Sequence, residues 1–288
     1  MDRIKKSFSV ATTTYTNWFF SSRMLIFGFV FMFVYVYYIQ PLMDISRTLN
    51  TPLNALEPFC AVVNNSYSVP LLVIGYIVLI ADFPRLDDFS TFMLYRTGKL
   101  PWVSGQIMFL FFSALTYLLF ILLSTMIFVA SESFIINAWS LVSKALVSTD
   151  GEAFLLKYPF VNLDRSVIMQ ARPFEATIHG ICLIMLFMVS SGLIQMIFSL
   201  IRKKVISVFL NLVICGLGLI FLLLDVKVKW LFPISNGVFG WHYDGIYNKT
   251  IFTITGSYIY FCVVITFLIL LVILVAKRCS FHITGGTE

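Results

Sequence analysis

His179, His242 and His282 are the only histidines, and no two stand at the spacing a His-Glu-x-x-His zinc pair or a Cys-His site requires. Metal-assisted chemistry therefore has no legible ligand set. The five cysteines, Cys60, Cys182, Cys215, Cys262 and Cys279, include no Cys-x-x-Cys pair, and three lie inside apolar runs. Small buried hydrophobes fit that pattern better than disulfides or redox couples. A phosphate-binding loop fails as well: Gly98-Lys99 is followed by Leu100, and Met93 stands where the first loop glycine belongs. One titratable pair remains, Glu175 and His179 a helical turn apart at the edge of an apolar run. Hydrogen bonding at a helix end accounts for it without chemistry. The chain reads as a non-enzyme that binds no metal or cofactor of its own.

The surroundings of these residues point to a lipid solvent. Hydrophobic residues make up 59% of the 288, charged ones 12%, and the mean hydropathy is +0.93, where soluble domains carry about 25% charged residues. A net charge of +6 invites a nucleic-acid reading. The basic residues, however, fall in short clusters between apolar runs and form no stripe, which excludes nucleic acid as a partner.

A spanning helix needs about 20 mainly apolar residues. The pattern predicts an all-α polytopic membrane protein with six spans. After an N-terminal segment, 1–23, the first two spans occupy 24–81: one from Met24 to Gln40, stopped by Pro41, and one that starts near Leu56 and runs to Ala81. The second would carry Asn64, Asn65 and Ser66 at depth. Amides there need partners, so they are expected to face protein or a transport pathway. The third span lies in 103–130, the fourth and fifth in 176–224 around a tight Arg202-Lys203-Lys204 turn, and the sixth in 253–276, before a tail, 277–288.

Twelve of the twenty Lys and Arg fall on the side that also holds both termini, which predicts a cell-membrane protein with cytoplasmic termini. Residues 1–23 mix basic side chains with Phe8, Tyr15, Trp18, Phe19 and Phe20. That mixture suits a helix in the headgroup layer, in contact with membrane lipids; a frayed tail is the alternative. The extracellular segment 131–175 is too long for a plain connector and holds two amphipathic pieces, near 134–147 and 154–169. The outer loop 225–252, rich in aromatics and turn formers, reads as an irregular cap.

The loop 82–102 is the informative one. It runs Asp82, Phe83, Pro84, Arg85, Leu86, Asp87, Asp88, Phe89, and on through Arg96, Thr97, Gly98 and Lys99 to Trp102. Asp82 can cap a short helix, Pro84 suits its first turn and Gly98 its stop. Leu86, Phe89, Phe92 and Met93 recur at helical spacing and give one apolar face, flanked by Arg85 and Arg96. Such a face either folds back on the protein's own helix ends or docks a partner.

The order Asp-x-Pro-Arg, a short aromatic helix, Arg-Thr-Gly-Lys and then Trp102 resembles the permeases of type-2 class ABC exporters of Gram-positive bacteria. The resemblance implies six spans behind an N-terminal interfacial helix, with a coupling helix after the second span that docks on a cytoplasmic ABC ATPase. On that resemblance Asp82, Pro84, Arg85, Leu86, Phe89, Phe92, Met93 and Arg96 form the docking element, and Asn64, Asn65 and Ser66 are pathway candidates. ATP and Mg would be bound by the ATPase. The permease would pair with a second copy or a paralogue, and an amphipathic peptide or lipid-like molecule would be the exported substrate. The long outer segment departs from the simple hairpin of some members. The competing reading is a polytopic scaffold or assembly factor that transports nothing.

Overall fold

The computed structural model describes residues 2–85, 87–148, 152–161, 163–244 and 249–278, without the side chains of Asp2, Asp88, Phe89, Glu152 and Ala153. Five helices are long and apolar enough to cross a membrane, and a sixth crossing results if one bent helix pair counts as a span. The first crossing helix is continuous over Ser22–Leu49, built from a 3₁₀ turn, α2 (Leu25–Val34), a π turn (Tyr35–Ile39) and α3 (Gln40–Leu49). Pro41 does not stop it, contrary to expectation. The π turn just before it widens the helix, which accommodates both the missing N–H and the ring that would otherwise strike the preceding turn. The helix ends where Asn50 turns left-handed, at φ 49°.

The expected second span is broken. α4 (Glu57–Asn64) and α5 (Ser68–Leu79) meet at 84°. The residues between them explain the break. Asn65 is extended, and its Oδ1 accepts the N–H groups of Tyr67 and Ser68, at 2.8 and 3.4 Å, at the open start of α5. Pro70 then sits in the first turn, where its missing donor costs little. At 12 residues, α5 rises about 18 Å, short of a hydrocarbon core of about 30 Å. α4 lies across its end with all eight residues buried.

α6 (Asp88–Thr97) leads through Gly98 into α7 (Lys99–Val129). α11 (Pro173–Leu200) and α12 (Lys204–Leu223) form the expected tight hairpin, turned by Arg202 at φ 61°. α14 (Ile254–Arg278) closes the bundle. α11 is central, with 61% of its most apolar stretch buried against 22% for α12 and 28% for α14. The peripheral helices expose large side chains outward, such as Val205 (82%), Phe209 (66%) and Val263 (63%). A belt of this kind is costly in water and suits lipid.

α1 (Asp2–Phe19) lies lengthwise along the first half of α7. Ser7 meets Ser104 at 2.6 Å, Gln106 Nε2 donates to Thr14 Oγ1 at 3.2 Å, and the Tyr15 and Thr116 hydroxyls are 2.8 Å apart. The helices approach so closely that a Cβ on Gly105 would lie 2.6 Å from both Ser7 O and Val10 Cβ. Beside this contact Ile4 and Phe8 stay exposed, the Phe8 ring meeting Phe112 of α7 edge-on at 6.5 Å.

The bundle has two unlike ends. One gathers the basic clusters, where Arg23 pairs with Asp82 and Lys99 Nζ reaches Lys277 O at 3.5 Å. The other carries a cap. Residues 134–147 form a helix only over α8 (Leu141–Val147), and the second amphipathic piece splits into α9 (Glu152–Lys157) and α10 (Arg165–Gln170) around Pro159. Among the described residues of 225–252, two 3₁₀ turns, Lys227–Leu231 and Phe239–His242, flank α13 (Pro233–Gly237). A two-residue parallel ladder, β1 (Leu53–Asn54) on β2 (Ser133–Phe134), joins the first helix to the cap.

Candidate functional site

α6 begins later than the sequence suggested. Asp87 is its cap, accepting the Ser90 N–H at 2.8 Å, so Asp82 and Pro84 lie outside the helix. Asp82 instead takes the Arg23 guanidinium, and Pro84 O accepts the Ser199 hydroxyl at 3.4 Å. The extended chain between them is pinned by Phe83, which is buried and stacked on Phe109 at 5.0 Å. Gly98 does stop α6, at φ 89°, and also starts α7. Partial burial pushes the Asp87 carboxyl up, but the bonds from Ser90 and the charge of Arg85 outweigh it and hold the group below its ordinary value of 3.8.

The expected apolar face is divided by this start. Leu86 and the Phe89 side chain lie outside the described residues. Phe92 is 63% exposed, whereas Met93 is half-buried against the core. Leu94, which the spacing argument passed over, is the buried anchor, at 4% exposure. The outward side therefore presents Phe92, Tyr95 and Arg96. Leu94 could have been found by shifting the helix start to Asp87, which places it with Met93 on the inward side.

Beneath α6, between α1, the end of α5 and α7, lies a small cleft with an interior volume of about 70 Å³. Trp18, Phe83, Trp102 and Phe109 form its aromatic wall, and Arg23, Asp82, Arg85 and Asp87 lie around it. This cleft was not legible in the sequence, because its walls come from four separate segments.

Asn64, Asn65 and Ser66 sit at the other end. Asn64 Nδ2 donates to Cys60 O at 2.9 Å and its Oδ1 accepts the Gly240 N–H at 3.0 Å. Asn65 Nδ2 donates to Phe160 O at 3.1 Å. Both amides are buried, at 3% and 7% exposure, and tie the α4–α5 break to two cap segments; Ser66 is half-buried beside them.

Other cap groups form a polar lock that the sequence did not reveal. The Glu57 carboxylate, 1% exposed, accepts the Ser140 N–H at 2.6 Å, the Ser140 hydroxyl at 2.7 Å and the Asn54 N–H at 3.1 Å. Asn54 Nδ2 donates to the carbonyls of Ile136 and Ala138. His242 is fully buried. Its Nδ1 faces the Val238 and Phe239 carbonyls at 2.9 and 3.1 Å, so that nitrogen carries the proton, and Nε2 lies 2.7 Å from the Ser257 hydroxyl. Burial pushes the His242 pKa down; the carbonyl bonds oppose this, and His179 adds to it.

Glu175 and His179 do not pair in the way their spacing suggested. Glu175 accepts the Arg172 N–H at 3.2 Å at the start of α11, while His179 Nδ1 bonds the Tyr258 hydroxyl at 2.9 Å. His282 and Cys279 lie outside the described residues. Among the described residues, no group of three or more His, Cys, Asp or Glu could hold a metal ion.

No family model matches the chain, and no curated protein or solved structure matches it.

Proposed function

We propose that the chain is the membrane-spanning subunit of an ATP-driven exporter, with its basic end in the cytoplasm and its cap outside. One observation carries the reading: a short helix at the basic end is anchored inward by Leu94 and presents Phe92, Tyr95 and Arg96 outward. An anchored helix with exposed aromatics between two bundle helices suits a docking element for a separate ATPase. Movement of α6 would pass to α5 through Phe83 and to α7 through Gly98, tilting both as rigid bodies. The aromatic belt fits an amphipathic peptide or lipid-like cargo, and a second copy or a paralogue would complete the pathway.

The test is copurification of the chain with a tagged ATPase candidate, followed by ATP hydrolysis in lipid. Buried aromatic anchors each cost about 2 kcal/mol or more on truncation, so Phe92→Ala should reduce recovery of the complex more than tenfold. Arg96→Ala should have a smaller, salt-sensitive effect. If no ATPase copurifies with the native chain, the reading gives way to a non-transporting scaffold.

A further inference from the structure

The turn between α11 and α12 sets three cations side by side, Arg202, Lys203 and Lys204. None of them forms an ion pair among the described residues. The acids described at this end of the bundle belong to the α5–α6 segment and are engaged there: Asp82 holds Arg23, and Asp87 caps α6 beside the charge of Arg85. Just past the turn, the outward face of α12 is apolar. Val205, Phe209 and Leu212 are exposed, Gly216 follows them, and no protein atom lies within 4 Å of where a Cβ on that glycine would stand. Their spacings of four, three and four residues put them on one side of the helix. From Val205 to Gly216 the helix rises about 16 Å, close to one leaflet of a hydrocarbon core of about 30 Å. Orientation in the membrane needs only that lysines and arginines lie on this side. It does not account for three unpaired charges at the foot of the least buried crossing helix.

We infer that the α11–α12 turn binds an anionic phospholipid, with its phosphate among Arg202, Lys203 and Lys204 and an acyl chain along Val205, Phe209, Leu212 and Gly216. Charge complementarity selects the headgroup. The arginine fork takes two phosphate oxygens and the lysines add point charges, whereas a zwitterionic headgroup would bring its own cation against all three. The adjoining apolar face selects the source. A soluble phosphate compound would leave Val205 and Phe209 uncovered, and an acidic protein segment would have to enter the hydrocarbon to reach them. The site asks nothing of an ATPase, so it holds equally for an exporter subunit and a scaffold.

The experiment uses the full chain, purified in detergent. Phosphatidylglycerol and phosphatidylcholine with matched acyl chains are titrated separately, and the tightest-bound lipid is followed by native mass spectrometry. A phosphatidylglycerol with a photoreactive acyl chain reports the place of binding. Each basic residue beside an anionic headgroup is worth about fivefold in affinity, so phosphatidylglycerol should bind saturably and at least about tenfold more tightly than the choline lipid. It should label the peptide that holds Val205, Phe209 and Leu212. Arg202→Gly removes a charge yet suits the left-handed turn at φ 61°, and should weaken binding about fivefold. Adding Lys203→Gln and Lys204→Gln should abolish both the preference and the labelling. Removing two cations of α1 with Lys5→Gln and Lys6→Gln should leave that labelling unchanged, and excess inorganic phosphate should not displace the lipid. Equal binding of the two lipids, labelling confined to other helices, or labelling that survives the triple variant would each overturn the assignment. So would displacement by phosphate alone, or an equal loss in the α1 variant.

Discussion

Glu57→Gln tests whether the cap is locked by an ionised carboxylate. The substitution keeps the shape but replaces one oxygen with an NH2 group. If the remaining oxygen stays with the Ser140 N–H at 2.6 Å, the new amide meets the Asn54 N–H at 3.1 Å, donor against donor; if it flips, the clash falls on Ser140 instead. Either arrangement loses a charge-assisted bond and strands a buried donor. Each loss is about 1–3 kcal/mol, partly offset by the charge that no longer needs burying, for a net near 2 kcal/mol. In a chain of this size that corresponds to a drop in Tm of about 4–8 °C. The assay is thermal unfolding of the detergent-purified protein, read by size-exclusion recovery after heating. Ser140→Ala should also destabilise, because its hydroxyl both donates to Glu57 and caps α8 through the Ser143 N–H at 3.2 Å. The double variant should be less destabilised than the sum, since the pair shares a bond. A Glu57→Gln protein with unchanged Tm, or strict additivity with Ser140→Ala, would refute an ionised lock and imply a carboxyl that folds protonated.

Three further outcomes follow from the packing and the titrating groups. Gly105→Val should detach α1 from α7, because backbone Ser7 O lies 2.6 Å from the added carbon; proteolysis near residue 20 should accelerate by at least about tenfold, as expected for a local opening favoured by 1.4 kcal/mol or more. His242 folds with a pKa below its ordinary 6.5, so its contribution to stability is fully present above that pH and is lost as pH falls through the folded value; Tm measured from pH 7 to 5 should decline, and less so in His242→Asn. With the proposed orientation, Leu156→Cys, exposed on the cap, should react with an impermeant maleimide in intact cells, whereas Lys203→Cys should react only after permeabilisation.

The long apolar helices were legible because hydropathy over about 20 residues reports the lipid solvent directly. The errors came from local chemistry that such averaging erases. Pro41 has the composition of a helix stop, yet a π turn absorbs it, a choice made by backbone geometry rather than residue type. Asn64 and Asn65 read as polar residues buried in a helix, but Asn65 caps the next helix instead, so the span breaks. The α6 loop was recognisable from its aromatics and Gly98, whereas its cap was misplaced because Asp82, Asp87 and Asp88 are equivalent until Arg23 claims one of them. Neither the Glu57 lock nor the cleft could be read from spacing, because Glu57 meets Ser140 across 83 positions and the cleft draws on segments from Thr13 to Phe109.

The short α5 has a consequence for biogenesis. A 12-residue segment behind a polar break is a poor candidate for independent insertion when it leaves the ribosome, since apolar length governs that step. Its stabilising partners are synthesised later: the Tyr76 hydroxyl donates to Leu110 O at 3.2 Å, and the Tyr117 hydroxyl donates to Leu72 O at 3.1 Å. On the six-crossing reading, α5 would wait at the translocon until α7 is available, and the two would enter the bilayer as a pair. Lesions at Tyr76 or Tyr117 should consequently appear as inverted or degraded chains during synthesis, before any loss of stability in the finished protein can be measured.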